Sequence, residues 1–363
     1  MKHRCNRGAV DSAMEMAMNK AIILLPVAAL LAACGGGGSS GGSGSSAIKI
    51  VGSSTVYPFT TAVAEEFQRA HPGINAIVES TGTGAGIKLF CAGVGANYPD
   101  VVNASRPFKK SEYEACAANG VKQVIELPVG IDGLTLIEAK SAQPMNLTVE
   151  DVYKAIAANP FGKGPNKAQT WKDVNPSLPA VKIRVLGPPP TSGTRDSLAE
   201  LILEKGCDSN PEMKALKKSN DAKHKDICTK VREDGAFVEA GENDNLLVQK
   251  VSADPGSLGV LGYSYLEENL DRVRPVALAG IVPTEATISD LSYPGARKLF
   301  IYIKGEHLRA KPAIRDFVTA YARAWGKGGA LERRGLVPLA PADAASSTQQ
   351  ATDLNPLDPA GLK

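Results

Sequence analysis

Gly187-Pro188-Pro189-Pro190-Thr191-Ser192-Gly193-Thr194-Arg195-Asp196-Ser197 is the stretch that decides how this chain is read. A short strand, residues 181–186, leads into it, and Leu198, Leu201 and Ile202 follow at the spacing of one buried helix face. A polar cap therefore sits where strand becomes helix. The first amides of a helix have no partner inside it, and the dipole adds positive character there. Small residues at that point leave several N–H groups free to converge on an anion. Ser192 and Thr194 add hydroxyls, Gly193 permits close approach, and Arg195 brings a planar cation suited to oxyanions. One such cap is only an N-cap; its recurrence along the chain is what points to a site.

The pattern recurs three times. Ile48-Lys49-Ile50-Val51 reads as a strand, Gly52-Ser53-Ser54-Thr55 as the turn, and Val56, Phe59, Val63 and Phe67 as one helix face. Pro58 falls in the first helical turn, where a missing N–H costs nothing. Residues 74–80 form a second strand, followed by Thr81-Gly82-Thr83-Gly84-Ala85-Gly86 and a helix from Ile87. A third, shorter version runs through Asp100-Val101-Val102-Asn103-Ala104-Ser105-Arg106-Pro107. The glycines spell GxGxG where a dinucleotide fingerprint needs GxGxxG, and Lys88 lacks the Ser/Thr of a P-loop. No nucleotide cofactor is expected.

At 363 residues the chain has room for two domains with their own cores. Lys20 and the apolar run 21–31 form a basic start and a segment too short to span a bilayer, which reads as a signal peptide over residues 1–33. Residues 1–17 lack signal character, so Met18 is the alternative start. Leu31-Ala32-Ala33-Cys34 resembles a bacterial lipobox, which makes Cys34 the lipidation site and residues 34–46 a Gly/Ser tether. Residues 1–33 carry Lys2, Arg4, Arg7 and Lys20 against Asp11 and Glu15, so their removal lowers the formal charge from +3 to +1. A nearly neutral body lacks the basic field of a nucleic-acid binder.

With Cys5 and Cys34 set aside, Cys91, Cys116, Cys207 and Cys228 remain. In an oxidising compartment they are expected as two disulfides; three pairings are possible, and the nearest in sequence are Cys91 with Cys116 and Cys207 with Cys228. Neither pair has metal-ligand spacing, so no metal is expected. Two extended segments, 124–137 and 298–303, read as crossovers between lobes. The Lys-rich stretch 204–234 reads as a solvated face, and the chain past Pro341, which has no apolar period, as loose.

With these residues laid out, the chain resembles the periplasmic phosphate-binding component of the high-affinity phosphate ABC transporter. The marks are Gly52-Ser53-Ser54-Thr55-Val56-Tyr57-Pro58, Gly84-Ala85-Gly86-Ile87-Lys88, Ala104-Ser105-Arg106-Pro107, Ser192-Gly193-Thr194 and Gly262-Tyr263. The resemblance implies an α/β, two-lobed type II periplasmic binding protein fold with two hinge strands. Lobe 1 is expected over 47–130 and 298–340, lobe 2 over 131–297, and a flexible tail over 341–363. It implies a monomeric receptor in the periplasm, lipid-anchored to a bacterial membrane, that binds inorganic phosphate between the lobes and delivers it to the permease subunits of an ABC transporter.

The phosphate-binding residues it implies are Ser54, Thr55, Val56, Thr83, Ser105, Arg106, Ser192, Gly193, Thr194 and Arg195. Two positions depart from the family pattern. Arg106 stands where the best-known members have an Asp that accepts the phosphate proton, and Pro188 where they have an Arg. Arg195 is expected to supply the lost charge, and Asp132, Asp196 and Asp244 are candidates for the acceptor. Without an acceptor the site would be a broader sulfate and arsenate receptor. The rival class is a periplasmic phosphatase using Ser54 or Ser192. Against it, His3, His71, His224 and His307 are scattered, and the folded body holds no Gly-x-Ser-x-Gly.

Overall fold

The computed structural model describes residues 47–362 apart from Glu242. The expected signal segment, Cys34 and the tether lie outside the described residues. Among those described, no helix is long and apolar enough to cross a membrane.

Among the described residues eleven strands run in chain order as β1 (Ile48–Gly52), β2 (Ala76–Ser80), β3 (Val101–Ala104), β4 (Val124–Ala139), β5 (Asn146–Leu147), β6 (Val185–Gly187), β7 (Phe237–Glu239), β8 (Leu258–Gly262), β9 (Val273–Pro275), β10 (Ala277–Leu278) and β11 (Ala296–Lys304). Nine of them form one continuous sheet in the order β2-β1-β3-β11-β4-β8-β6-β7, with β9 also on β4. The parallel neighbours are joined by helices, as a right-handed crossover requires. The two expected crossovers are β4 and β11. The first half of β4 pairs antiparallel with β11, and its second half pairs with β8 and β9, so one 16-residue strand belongs to both lobes. Opposite the step from Leu299 to Phe300 the register shifts, leaving Val129 as an extra residue in β4. A bulge of this kind bends a strand at a defined place.

Two separate apolar cores flank that strand pair. Ile48, Ile50, Phe67, Leu127, Ile301 and Phe317 pack together on one side, with a satellite of Val51, Ile87, Phe90 and Tyr302 across the sheet. Leu134, Val152, Tyr153, Leu198, Ile202 and Val260 form the other. Each fully buried Leu, Ile or Phe contributes about 1.5–3 kcal/mol, so each lobe is held by its own interior. The disulfides are Cys91–Cys116 in the first lobe and Cys207–Cys228 in the second, closing separations of 25 and 21 residues.

The chain past Pro341 departs from the sequence expectation. Pro341–Asp353 is a helix, not a loose tail; its Ser347 and Ala351 are buried, and Ser347 Oγ donates to the Pro128 carbonyl on β4. Beyond it Leu354 is buried and the Leu357 N–H donates to the Val124 carbonyl at 2.8 Å. Small residues at i and i+4 let this helix lie close against the sheet with no apolar stripe.

Candidate functional site

Three helices begin at the carboxyl ends of parallel strands, where open α/β sheets place their ligand crevices. Tyr57–Ala70 follows β1, Thr83–Phe90 follows β2, and Gly193–Ser197 follows β6. Ser192 caps the last of these, its Oγ accepting from the Thr194 N–H at 3.2 Å. Among the described residues, the N–H groups of Thr55, Thr83 and Gly193 find no main-chain acceptor. They are the orphan donors that any helix start leaves. A Cβ added at Gly193 would stand 3.1 Å from the Ser54 carbonyl oxygen and 3.3 Å from the Thr55 Cα. The third helix start therefore lies directly against the first, across the cleft.

At the centre is a residue that sequence reasoning passed over. Arg297 is the second residue of β11, and its side chain is only 11% exposed. Its Nη2 donates to Thr55 Oγ1 of the first lobe and to Ser197 Oγ of the second, both at 3.0 Å. Its Nε donates to Asp132 Oδ2 at 3.0 Å, and its Nη1 to Glu200 Oε2. Asp132 is the direct cross-strand partner of Arg297, so the hinge pair itself orients the guanidinium. Ser197 Oγ reinforces this by donating to the same Asp132 oxygen at 2.7 Å.

The network continues into the other expected positions. Ser105 Oγ donates to Glu200 Oε2 at 2.9 Å and lies 2.9 Å from Thr83 Oγ1, which accepts from the Ser105 N–H at 3.1 Å. Ser54 Oγ donates to Asp196. Thus Ser54, Thr55, Thr83, Ser105, Ser192, Gly193 and Thr194 are brought to one cleft. Two lobe-1 hydroxyls, Ser54 and Ser105, and the guanidinium donate to carboxylate oxygens, so these donors are arranged to hold negative charge.

Three expected positions are placed differently. The Val56 side chain is buried in the core and its N–H lies 3.4 Å from Ser53 Oγ. Arg106 forms a two-pronged pair with Glu112 at 2.9 and 2.7 Å, which occupies its charge locally. Arg195, expected to replace a missing cation, turns away: its guanidinium lies 4.7 Å over the Phe237 ring and donates to the Pro188 carbonyl at 2.8 Å. Phe237 on β7 supplies a face on which a guanidinium stacks, and that neighbour is not visible in the local sequence. The cation that joins the donor network of the cleft is Arg297. The local sequence carries no signal for it, because Arg297 meets Asp132 only through the register of β4 against β11.

The network divides the cleft into two hollows. The smaller, about 420 Å³, is lined by Ser54, Thr55, Ser192, Thr194, Asp132 and Asp244; the larger, about 770 Å³, by Thr83, Ser105, Arg106, Glu200, Lys205 and Arg297 among others. Burial raises the Asp196 carboxyl above the usual range, the Ser54 hydrogen bond opposes this, and the Glu200 charge adds to it. Burial alone pushes Asp244 up to about 6. A free Asp titrates near about 3.9, so between about pH 4 and 6 the unfolded chain loses this proton while the folded one keeps it. Stability contributed here therefore falls as pH rises through that window. Asp244→Asn is expected to flatten the decline in melting temperature between pH 4 and 6; an unchanged slope would remove Asp244 from the account.

A family model described as a PBP superfamily domain matches residues 37–323. Protein SphX of Synechococcus elongatus is 35% identical over 347 residues, covering 93% of this chain and 90% of that one. Phosphate-binding protein PstS of Staphylococcus haemolyticus is 31% identical over 273 residues, covering 74% of this chain and 73% of its own. Among solved structures, one described as a possible phosphate binding protein from Planctomyces limnophilus superposes with a TM-score of 0.67 at 29% identity, covering 85% of this chain and 98% of that one.

Proposed function

The chain belongs to the PBP superfamily and, within it, to the family of PstS-type phosphate-binding proteins, and from that membership we propose that it binds inorganic phosphate between its lobes and hands it to an ABC permease. One observation carries the reading: Arg297 on the hinge donates to groups of the first lobe, the second lobe and the other hinge strand, Thr55, Ser197 and Asp132. A tetrahedral anion offers acceptors in all directions and satisfies donors on both walls only when the walls are close. Binding therefore favours the closed form, and the closed surface is what a permease would recognise. Cys34 would carry the lipid that holds this receptor at a bacterial membrane, in the periplasm, as a monomer.

Selectivity follows from which group accepts a proton. Hydrogen phosphate has a proton to donate and sulfate has none, so an acceptor-only carboxylate in the site distinguishes them. Asp132 is committed to Arg297 and Ser197. Asp196 bonds Ser54 through Oδ2 and its raised pKa makes it the more willing acceptor, so the role goes to Asp196 through Oδ1. Titration calorimetry of the purified protein with phosphate, arsenate and sulfate tests both claims. Phosphate binding without sulfate competition is the expected result. Equal affinity for sulfate would make this a general oxyanion receptor, and no heat with any of the three would end the reading.

A further inference from the structure

Resting on the reading that orthophosphate binds at the Arg297 donors, we propose that the same cleft also takes diphosphate, its second phosphoryl group lying in the larger hollow against Lys205. That hollow measures about 770 Å³ and shares Thr83, Ser105 and Arg297 with the donor network. Hollows of roughly 300–1,000 Å³ hold whole small ligands, so one tetrahedral anion leaves most of this space to a substituent. The question is what chemistry the substituent has.

The cations around the hollow answer it. Most are already neutralised: Arg106 by Glu112, Lys217 by Glu204 and Asp208, Lys225 by Asp221, and Lys298 by Asp343. Two exposed lysines of the lining, Lys109 and Lys205, carry no ion pair among the described residues, and it is Lys205 that stands near the Arg297 charge. Lys205 Nζ donates to the Pro294 carbonyl at 3.0 Å, and among the described residues it has no carboxylate within ion-pair distance. An ammonium has three donors, of which this contact uses one. Desolvation first, and then the Arg297 charge, hold its pKa below the ordinary lysine value. A cation set beside another cation without a counter-charge gains most from an anion placed between them. A neutral organic tail would leave Lys205 as it is, whereas a second phosphoryl group supplies the missing charge and accepts the spare N–H donors. No bond is made or broken; this is binding alone.

Calorimetry with orthophosphate, diphosphate and glycerol phosphate, on the wild type, Lys205→Gln and Lys205→Arg, tests the assignment. Diphosphate is expected to bind and to compete with orthophosphate. Lys205→Gln should weaken diphosphate by about tenfold or more, the loss of a charge-assisted hydrogen bond, with orthophosphate changed by less than about twofold, and Lys205→Arg should restore most of the loss. Diphosphate that fails to compete with bound orthophosphate overturns this proposal alone. So does an equal loss for both ligands in Lys205→Gln, or glycerol phosphate binding as tightly as diphosphate. Orthophosphate that does not bind at all overturns both this proposal and the reading beneath it.

Discussion

Arg297→Gln is expected to abolish tight orthophosphate binding while leaving a cooperatively folded protein. The guanidinium bonds both lobes and the hinge, through Thr55, Ser197 and Asp132. Truncating one partner of a buried, hydrogen-bonded charge pair costs about 2–5 kcal/mol, which is roughly thirty-fold to several-thousand-fold in affinity. Glutamine keeps an amide donor and most of the length, so the change isolates the charge and the planar fork. Arg297→Lys is expected to rescue little, because an ammonium is a compact point charge without the planar fork whose separate nitrogens reach Thr55, Ser197, Asp132 and Glu200. The fold should survive, since Ser197 continues to donate to Asp132 and both lobe cores lie elsewhere. Calorimetry for affinity and a melting curve for integrity check the two halves separately. A variant within threefold of wild type would remove Arg297 from the site.

Sequence reasoning located the frame of this site better than its centre. The helix starts at Ser54, Thr83 and Ser192 were legible because caps and strand-to-helix switches are local chemistry, written within a few residues. The hinge strands were legible for a related reason: a long apolar run broken by Gly130 and Gly133 has few other uses. Arg195 and Arg297 were not legible, since which arginine reaches the cleft depends on strand neighbours. β7 places Phe237 beneath Arg195 and holds it away, while the register of β4 against β11 sets Arg297 on Asp132. Pairing between segments 165 residues apart leaves no local trace. The helix Pro341–Asp353 escaped for the opposite reason, because its buried face is made of Ser347 and Ala351, which no hydrophobic period can register.

Gly52→Ala should be the most damaging small substitution in the first lobe, and it links fold to site. Gly52 ends β1 with φ +126°, a conformation that side chains avoid, and an added Cβ would stand 2.2 Å from the Asn103 carbonyl oxygen of β3. The neighbouring layer is equally close: a Cβ on Gly86 would lie 2.4 Å from the Gly52 Cα. The helix from Thr83 thus rests on bare backbone at the end of β1, and that contact is what carries Thr83 to Ser105. Backbone strain of this kind costs on the order of 1–3 kcal/mol, and forced displacement of packed elements about 1–3 more. For a chain of this size the sum lowers the melting temperature by roughly 3–9 °C. Gly120→Ala is the control, because Gly120 also has positive φ, at +85°, but has nothing within 4 Å of its would-be Cβ. It carries the conformational cost without the collision. Phosphate affinity should fall in Gly52→Ala, as Thr83 and Ser105 are moved relative to Thr55, and stay unchanged in Gly120→Ala. Equal melting temperatures for the two variants would mean that the β3 backbone yields freely at Asn103, and the close seating of the second helix would no longer explain how the donors converge.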